Sequence, residues 1–330
     1  MKICLFDHNK TPYPVRGYGG GERINQYLYM ALIDLGYDVT LIVVNCNFQY
    51  KSGKVITFDP ITIDDIRYGR KKLIEMIPND FDIFHTLTSG NNQKIDFEGF
   101  KAKWFATTMG DEEHVLCPNQ IFVSHNQLKI NEPRYNVRAN CKNIYVCHSG
   151  IDTSILHYIK AEKKNIVWLG RLQECKGAHL LPAIADLSGE DIIFASNINY
   201  GPLFDLVTQN KRIHYYGEIK TEEEKCAFFS TAKLYLHTAY NFNDPCPTTI
   251  LEAQMCGVPV MALNKGSVHE LLYNKDMIFS SIEELVKAIK DKAYLKIRPK
   301  DVYQFNYENF SSVATANRYL SIWKSSFIES

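Results

Sequence analysis

Two kinds of apolar pattern alternate along the chain. Short, nearly unbroken apolar runs occur at 2–8 (KICLFDH), 38–44 (DVTLIVV), 81–87 (FDIFHTL), 102–108 (AKWFATT), 120–125 (QIFVSH) and 143–149 (NIYVCHS). A second series follows at 165–170 (NIVWLG), 191–196 (DIIFAS), 212–217 (RIHYYG), 233–238 (KLYLHT) and 258–263 (VPVMAL). Helical periodicity fills the intervals around 21–35, 64–77, 178–187 and 222–231, after Thr248, and near 267–273 and 281–290. Apolar strands separated by helices predict parallel sheets covered on both faces. The expected class is α/β, with two doubly wound, Rossmann-like sheets. The changeover falls near 150–163, where the chain turns polar and lysine-rich. At the end, Val313, Ala316, Leu320, Trp323 and Phe327 recur at helical spacing with no strand after them. That helix must pack across something already built. Ligands of open α/β sheets gather at the carboxyl ends of the strands, so a cleft between two such sheets is the expected site.

Composition narrows the function classes. A length of 330 residues suits two ordinary domains, and 45% apolar with 22% charged residues suits a soluble globular protein. Formal net charge is zero, which argues against broad nucleic-acid or membrane-surface binding. The apolar run before Asp7 is too short for a signal-peptide core, and no run approaches the roughly 18 apolar residues of a membrane span. Nine cysteines are scattered without a C-x-x-C pair, as expected of reduced thiols in a cytoplasmic compartment. No HExxH or Cys/His cluster is present, so no metal site is expected.

Three stretches can carry chemistry. RGYGGGER (16–23) joins the first strand to the first helix. Adjacent glycines permit close backbone approach, and a helix N-terminus favours an anion. Glu22 stands where a dinucleotide fingerprint needs its third glycine, which argues against such a domain. WLGRLQECKGAH (168–179) repeats the arrangement, with Arg171 and Lys176 beside a strand end. Such a pair suits a pyrophosphate, Arg as a fork and Lys as a mobile point charge. DPCPTTILEAQMCGVPV (244–260) follows the strand at 233–238. Thr249 and Glu252 have the spacing of a capping box, which places Glu252 in the first helical turn. The same helix N-terminus can hold phosphate oxygens, Glu252 can accept hydrogen bonds from a ribose diol, and Asp244 can bond sugar hydroxyls.

Taken in order, these stretches resemble retaining glycosyltransferases of family 4, which have the GT-B architecture. YGGGER resembles that family's N-terminal glycine loop, and HSGID (148–152) its entry to the second domain. GRLQECKG (170–177) matches G-R-x-x-x-x-K-G; Asp244 and Glu252 followed by A-Q-M-C-G-V-P-V resemble the E-x7-E signature. GSVHELL (266–272) resembles the turn after it. The resemblance covers nearly the whole chain. It implies a domain 1–150 completed by a helix 308–330 on the acceptor side, and a domain 151–307 on the nucleotide-sugar side. It implies that Arg171 and Lys176 bind the donor diphosphate, Glu252 the ribose and Asp244 the transferred sugar. Thr248 and Thr249 would lie near the phosphates, and Gly170 in the diphosphate loop. Gly217 and Ile219 would lie against the nucleobase, with Ser196 and Asn197 nearby. Gly19, Gly20 and Gly21 would close over the donor.

The chain departs from the family pattern in three places. Asp244 replaces the first glutamate, Cys246-Pro247 replaces a Phe-Gly, and TTMGD (107–111) lacks the histidine of T-x-H-G. His85, Asp111 and His114 are the candidates for the acceptor and sugar side. Asp80-Phe81-Asp82 spells a metal-binding DxD, but Asp82 opens an apolar strand and Phe81 reads as a packing residue. The expected function is transfer of a hexose from a nucleotide diphosphate sugar to a glycan or other hydroxyl acceptor, with retention and no cofactor or metal. Family usage favours GDP-mannose over a UDP-glucose-type donor. No nucleic-acid partner is expected, and a homodimer is allowed. The alternatives are a nucleotide-sugar-binding protein without transferase activity and a sugar-nucleotide epimerase on the same fold. A phosphorylase would need a pyridoxal phosphate lysine and far more chain.

Overall fold

The structure, a computed structural model, describes residues 1–9, 11–17, 19–44, 46–88, 94–110 and 117–328. It divides into two compact units, Met1–Gly150 with Ser312–Ser330, and Ile151–Ser311.

Among the described residues the first unit holds seven parallel strands, β1 (Lys2–Asp7), β2 (Asp38–Val44), β3 (Lys54–Phe58), β4 (Ile83–Thr88), β5 (Lys103–Thr108), β6 (Asn119–Phe122) and β7 (Asn143–Val146). Their order is β3-β2-β1-β4-β5-β6-β7. In the second unit β8 (Asn165–Leu169), β9 (Ile192–Ala195), β10 (Ile213–Gly217), β11 (Ala232–His237), β12 (Val260–Leu263) and β13 (Ile278–Phe279) run β10-β9-β8-β11-β12-β13. Every pairing is parallel. The first unit's helices are α1 (Gly20–Asp34), α2 (Pro60–Arg67), α3 (Leu73–Met76), α4 (His125–Tyr135) and α5 (Val137–Asn140). The second unit has α6 (Leu181–Ser188), α7 (Pro202–Thr208), α8 (Glu222–Ser230), α9 (Thr248–Met255), α10 (Val268–Leu271), α11 (Ile282–Lys290) and α12 (Pro299–Phe310). α13 (Ser312–Ile328) returns to the first unit.

Alternation along the strands builds the two larger cores of the first unit. Ile3, Leu5, Leu41 and Val43 face one way, onto α1 and α13. Cys4, Phe6, Ile42 and Val44 face the other, onto α2 and α3. This is why runs such as KICLFD carry no polar alternation. The helix expected over 64–77 is two short helices, and α13 buries a stripe slightly rotated from the expected one. Ala316, Tyr319, Leu320 and Trp323 are buried, whereas Val313 and Phe327 are about two-fifths exposed. The run 120–125 ends its strand at Phe122, because Ser124 caps α4 by accepting from the Gln127 N–H at 3.0 Å.

Both sheets reverse direction beside their first strand. In the second unit the reversal lies between β8 and β11, the place where an open α/β sheet leaves a crevice at its carboxyl edge. The loops leaving those two strands carry GRLQECKG and the stretch from Asp244 to Thr249. The segment entering the second unit and the one leaving it are tied together, with the Ile151 N–H donating to the Phe310 carbonyl at 2.8 Å.

Candidate functional site

The loop after β8 is held in shape by its neighbours. The Leu172 and Ile198 N–H groups both donate to Ser196 Oγ, at 3.2 and 3.1 Å. Glu174–Lys176 forms a single 3-10 turn closed by Gly177, whose φ of 73° is left-handed. A side chain there would run into the Thr238 carbonyl. Thr238, just past β11, faces the carbonyls of Lys176 and Gly177 with its hydroxyl at 3.0 and 3.1 Å, and accepts from Trp168 Nε1 at 2.9 Å. The exits of β8 and β11 are thereby locked together. Arg171 is half-buried at the start of this loop.

The loop after β11 comes to meet it. Lys176 Nζ pairs with the Asp244 carboxylate and lies 4.7 Å from the centre of the Phe242 ring. The backbone of Asp244 is fixed in turn, its carbonyl accepting from the Ser267 N–H and hydroxyl, both at 3.3 Å. Gly266 makes this approach feasible. A Cβ at Gly266 would stand 2.6 Å from the Asp244 carbonyl oxygen. Pro245 and Pro247 are both buried, and Pro247 is the N-cap of α9. Among the described residues no side chain caps that helix. The Ile250 N–H bonds back to the Pro247 carbonyl at 3.1 Å, which leaves the Thr248 and Thr249 N–H groups for an acceptor from outside.

Glu252 is therefore not a capping residue. With Pro247 at the N-cap, Thr249 lies inside the helix, where its Oγ1 stands 2.9 Å from the Tyr235 hydroxyl. Glu252 falls in the second turn, only 5% exposed. Its Oε1 accepts from Lys225 Nζ of α8 at 2.7 Å, and the same ammonium is 3.1 Å from Glu222 Oε1. This ion-paired cluster replaces the capping box read from the spacing.

The remaining second-unit candidates lie along the β9 and β10 exits. Ser196 is buried, and its hydroxyl serves the loop hydrogen bonds described above; Asn197 is exposed. Gly217 has a left-handed φ of 118° with open space where a side chain would be, and Ile219 packs partly against the core. Gly170 lies against the Trp168 indole, where a Cβ would meet it at 3.1 Å. Thr248 is half-buried at the first helical position.

Sequence reasoning passed over Lys225, Thr238, Phe242 and His237. Lys225 sits in TEEEKC, which reads as a solvated helix face. His237 ends β11 and is 6% exposed. Burial pushes its imidazole down to about 4, the Lys176 ammonium acting in the same direction and the Asp244 carboxylate opposing both.

In the first unit, Gly19 is the N-cap of α1 with a left-handed φ of 148°, Gly20 is exposed, and Gly21 lies near Met109. The anion expected at this helix start meets a carboxylate already there. Glu22 occupies the first turn and accepts from Thr11 Oγ1 at 3.0 Å. Beneath it, Asp7 accepts from the Tyr13 hydroxyl at 2.6 Å and from Asn25 Nδ2 at 2.8 Å. Burial raises the Asp7 carboxyl to about 6, the Glu22 charge adds to that, and these hydrogen bonds oppose it.

His85 is a core residue, not a sugar contact. It is fully buried, its Nε2 lies 2.8 Å from Thr107 Oγ1, and its ring packs on Tyr319 and Trp323 of α13. Burial pushes its imidazole down to about 3. Asp111 and His114 lie outside the described residues. Asp80 and Asp82 are held at the amino end of β1, by the Lys2 ammonium and by the Lys2 N–H at 2.7 Å. Phe81 is buried.

Among the described residues no helix is long and apolar enough to cross a membrane. No curated protein sequence matches the chain. Residues 203–303 match a family model described as glycosyl transferases group 1. Solved structures match over nearly the whole length. AviGT4, a glycosyltransferase involved in avilamycin A biosynthesis, aligns at TM-score 0.74 and 17% identity, over 98% of this chain and 97% of its own. Sucrose-phosphate synthase from Thermosynechococcus elongatus aligns at 0.70 and 14%, over all of both chains. HepE of Anabaena, in complex with UDP, aligns at 0.70 and 15%, over 98% of this chain and all of its own. The chain has the fold of GT-B glycosyltransferases, and its second unit carries the stretch similar to glycosyl transferases group 1.

Proposed function

We propose that this protein is a retaining, metal-independent glycosyltransferase of family 4 that moves a hexose from a nucleotide diphosphate sugar to an acceptor hydroxyl. The observation that carries this reading is the meeting of Lys176, Asp244 and the uncapped start of α9 at the β8–β11 reversal. Arg171, Lys176 and the α9 N–H groups stabilise the negative charge that grows on the diphosphate as the sugar–phosphate bond breaks. Asp244 bonds the sugar hydroxyls, and Glu252 takes the ribose. Gly217 leaves open space for a flat base beside Ile219. No side chain is assigned as a covalent nucleophile. The second unit thus takes the donor. The first unit takes the acceptor, since Asp7 and Glu22 make its glycine loop acidic, which suits hydroxyl groups better than phosphates.

The site suits guanosine and uridine donors alike. Family usage favours GDP-mannose, whereas HepE has been solved with UDP, with UDP and glucose, and with UDP-glucose. The deciding experiment is calorimetric titration with a panel of nucleotide sugars. It is followed by a transfer assay in the presence of EDTA, with the anomeric configuration of the product read by NMR. Arg171→Ala and Lys176→Ala should each weaken donor binding about ten- to a hundredfold, the value of a charge-assisted hydrogen bond. Wild-type affinity in both folded variants would remove the diphosphate assignment. Binding without transfer or hydrolysis would instead make the chain a nucleotide-sugar-binding protein.

A further inference from the structure

Lys225 is a buried ammonium, 8% exposed, at a position where the sequence TEEEKC suggests a solvated helix face. Burying a charge gains little stability over an apolar residue of the same volume. Its placement therefore asks for another reason. Its Nζ reaches across from α8 to Glu252 Oε1 on α9 at 2.7 Å, and Glu222 holds it from its own helix at 3.1 and 3.3 Å. Two carboxylates thus share one ammonium, and the cluster keeps one net negative charge. Lys225 engages Oε1 of Glu252. Oε2 has no donor among the described residues, although the side chain is only 6% exposed. A carboxylate held by one oxygen keeps its other oxygen as a strong, fixed acceptor.

We infer that Lys225 is a positioning residue for the nucleotide. It fixes the rotamer and charge of Glu252 so that Oε2 faces the ribose diol, and it sets the preference for ribose over ribose lacking those hydroxyls. The inference rests on the reading of Glu252 as the ribose acceptor. The orientation comes from a neighbouring helix because α9 offers none: its start is fixed by Pro247, and among the described residues no hydrogen bond joins Thr249 to Glu252, the Thr249 hydroxyl accepting from Tyr235 instead. Glu222 holds the same ammonium from its own helix and so limits its freedom to move away from Glu252.

The test compares UDP and GDP with their 2′,3′-dideoxy analogues by calorimetry on the full chain. Wild type should prefer the ribonucleotide about ten- to a hundredfold. Lys225→Met should bring that ratio close to one, as should Glu252→Gln, and the double variant should lose no more than either single one. A purely structural role for Lys225 would weaken ribo and dideoxy forms equally and leave the ratio at the wild-type value, which would overturn the inference. Lys225→Gln, which keeps an N–H for the carboxylate, guards against a Met variant that does not fold; its ratio should drop at least about threefold, and a wild-type ratio there would equally overturn the inference. No ribose preference in wild type would overturn both this inference and the ribose assignment. No nucleotide binding in wild type would overturn the proposed function itself.

Discussion

Asp244 and Lys176 lie on loops from different strands, yet their side chains form an ion pair. Asp244 therefore places a negative charge beside the proposed diphosphate site. Asp244→Asn should leave affinity for the bare nucleotide diphosphate intact or raise it, because it frees Lys176, while transfer falls because the sugar loses its acceptor. Glu252→Gln should behave oppositely, weakening the bare nucleotide. Its cost to stability should exceed about 1 kcal/mol, because it breaks a buried pair rather than a surface cap. Calorimetry on both variants, with thermal unfolding, separates the two; a weaker bare-nucleotide affinity in Asp244→Asn would refute the division. At this scale the sequence named Lys176, Asp244 and Glu252 as candidates but not what each one touches. The Thr249–Glu252 spacing is that of a capping box, but a buried proline immediately before Thr248 starts the helix early and moves both residues inside it. His85 could not be placed from its own segment either. Its burial depends on α13, which arrives from more than two hundred residues further along the chain.

The two loops of the site work as one element. Thr238, Trp168 and the Lys176–Gly177 carbonyls join their bases, and Lys176 with Asp244 joins their tips. Gly177 is the hinge of this joint. Its left-handed φ and its contact with the Thr238 carbonyl leave no room for a side chain. Gly177→Ala should cost more than about 1 kcal/mol. It should also weaken nucleotide diphosphate binding in the fraction that remains folded, although residue 177 bears no charge. Alanine at 177 with wild-type stability and affinity would show that the loops are held independently. Strands and helices were legible as elements because buried parallel strands are continuous apolar runs. The joint was not, since it consists of main-chain carbonyls, one threonine and one tryptophan N–H, and none of these has a pattern of its own. Short elements such as β13 and α3 also left no period long enough to read.

The chain crosses between its units twice, at 150–151 and at 311–312, so the two units differ in what they need to fold. The second is continuous. It owns a single core running from Ile151 to Phe310, closes its two ends with the Ile151–Phe310 hydrogen bond, and carries both loops of the proposed donor site. The first is interrupted, and α13 supplies Ala316, Tyr319, Leu320 and Trp323 to the core they share with Leu28, Leu32 and Phe105. Removing that helix exposes a large apolar face, and a face of that kind drives association rather than folding. A fragment spanning 151–311 should therefore fold by itself, melt cooperatively, and bind the same nucleotide diphosphate as the whole chain. A fragment spanning 1–150 should aggregate or remain molten, and should recover when the 312–330 segment is joined to it by a flexible linker. The periodicity of the last stretch predicted a helix packed on something already built, but its partner was invisible in that stretch, because packing partners distant in sequence share no pattern. Calorimetry and size-exclusion chromatography on the two fragments decide the matter. If 1–150 folds as a monomer without its helix, or if 151–311 neither melts cooperatively nor binds nucleotide while the intact chain does, then the independence of the second unit is wrong.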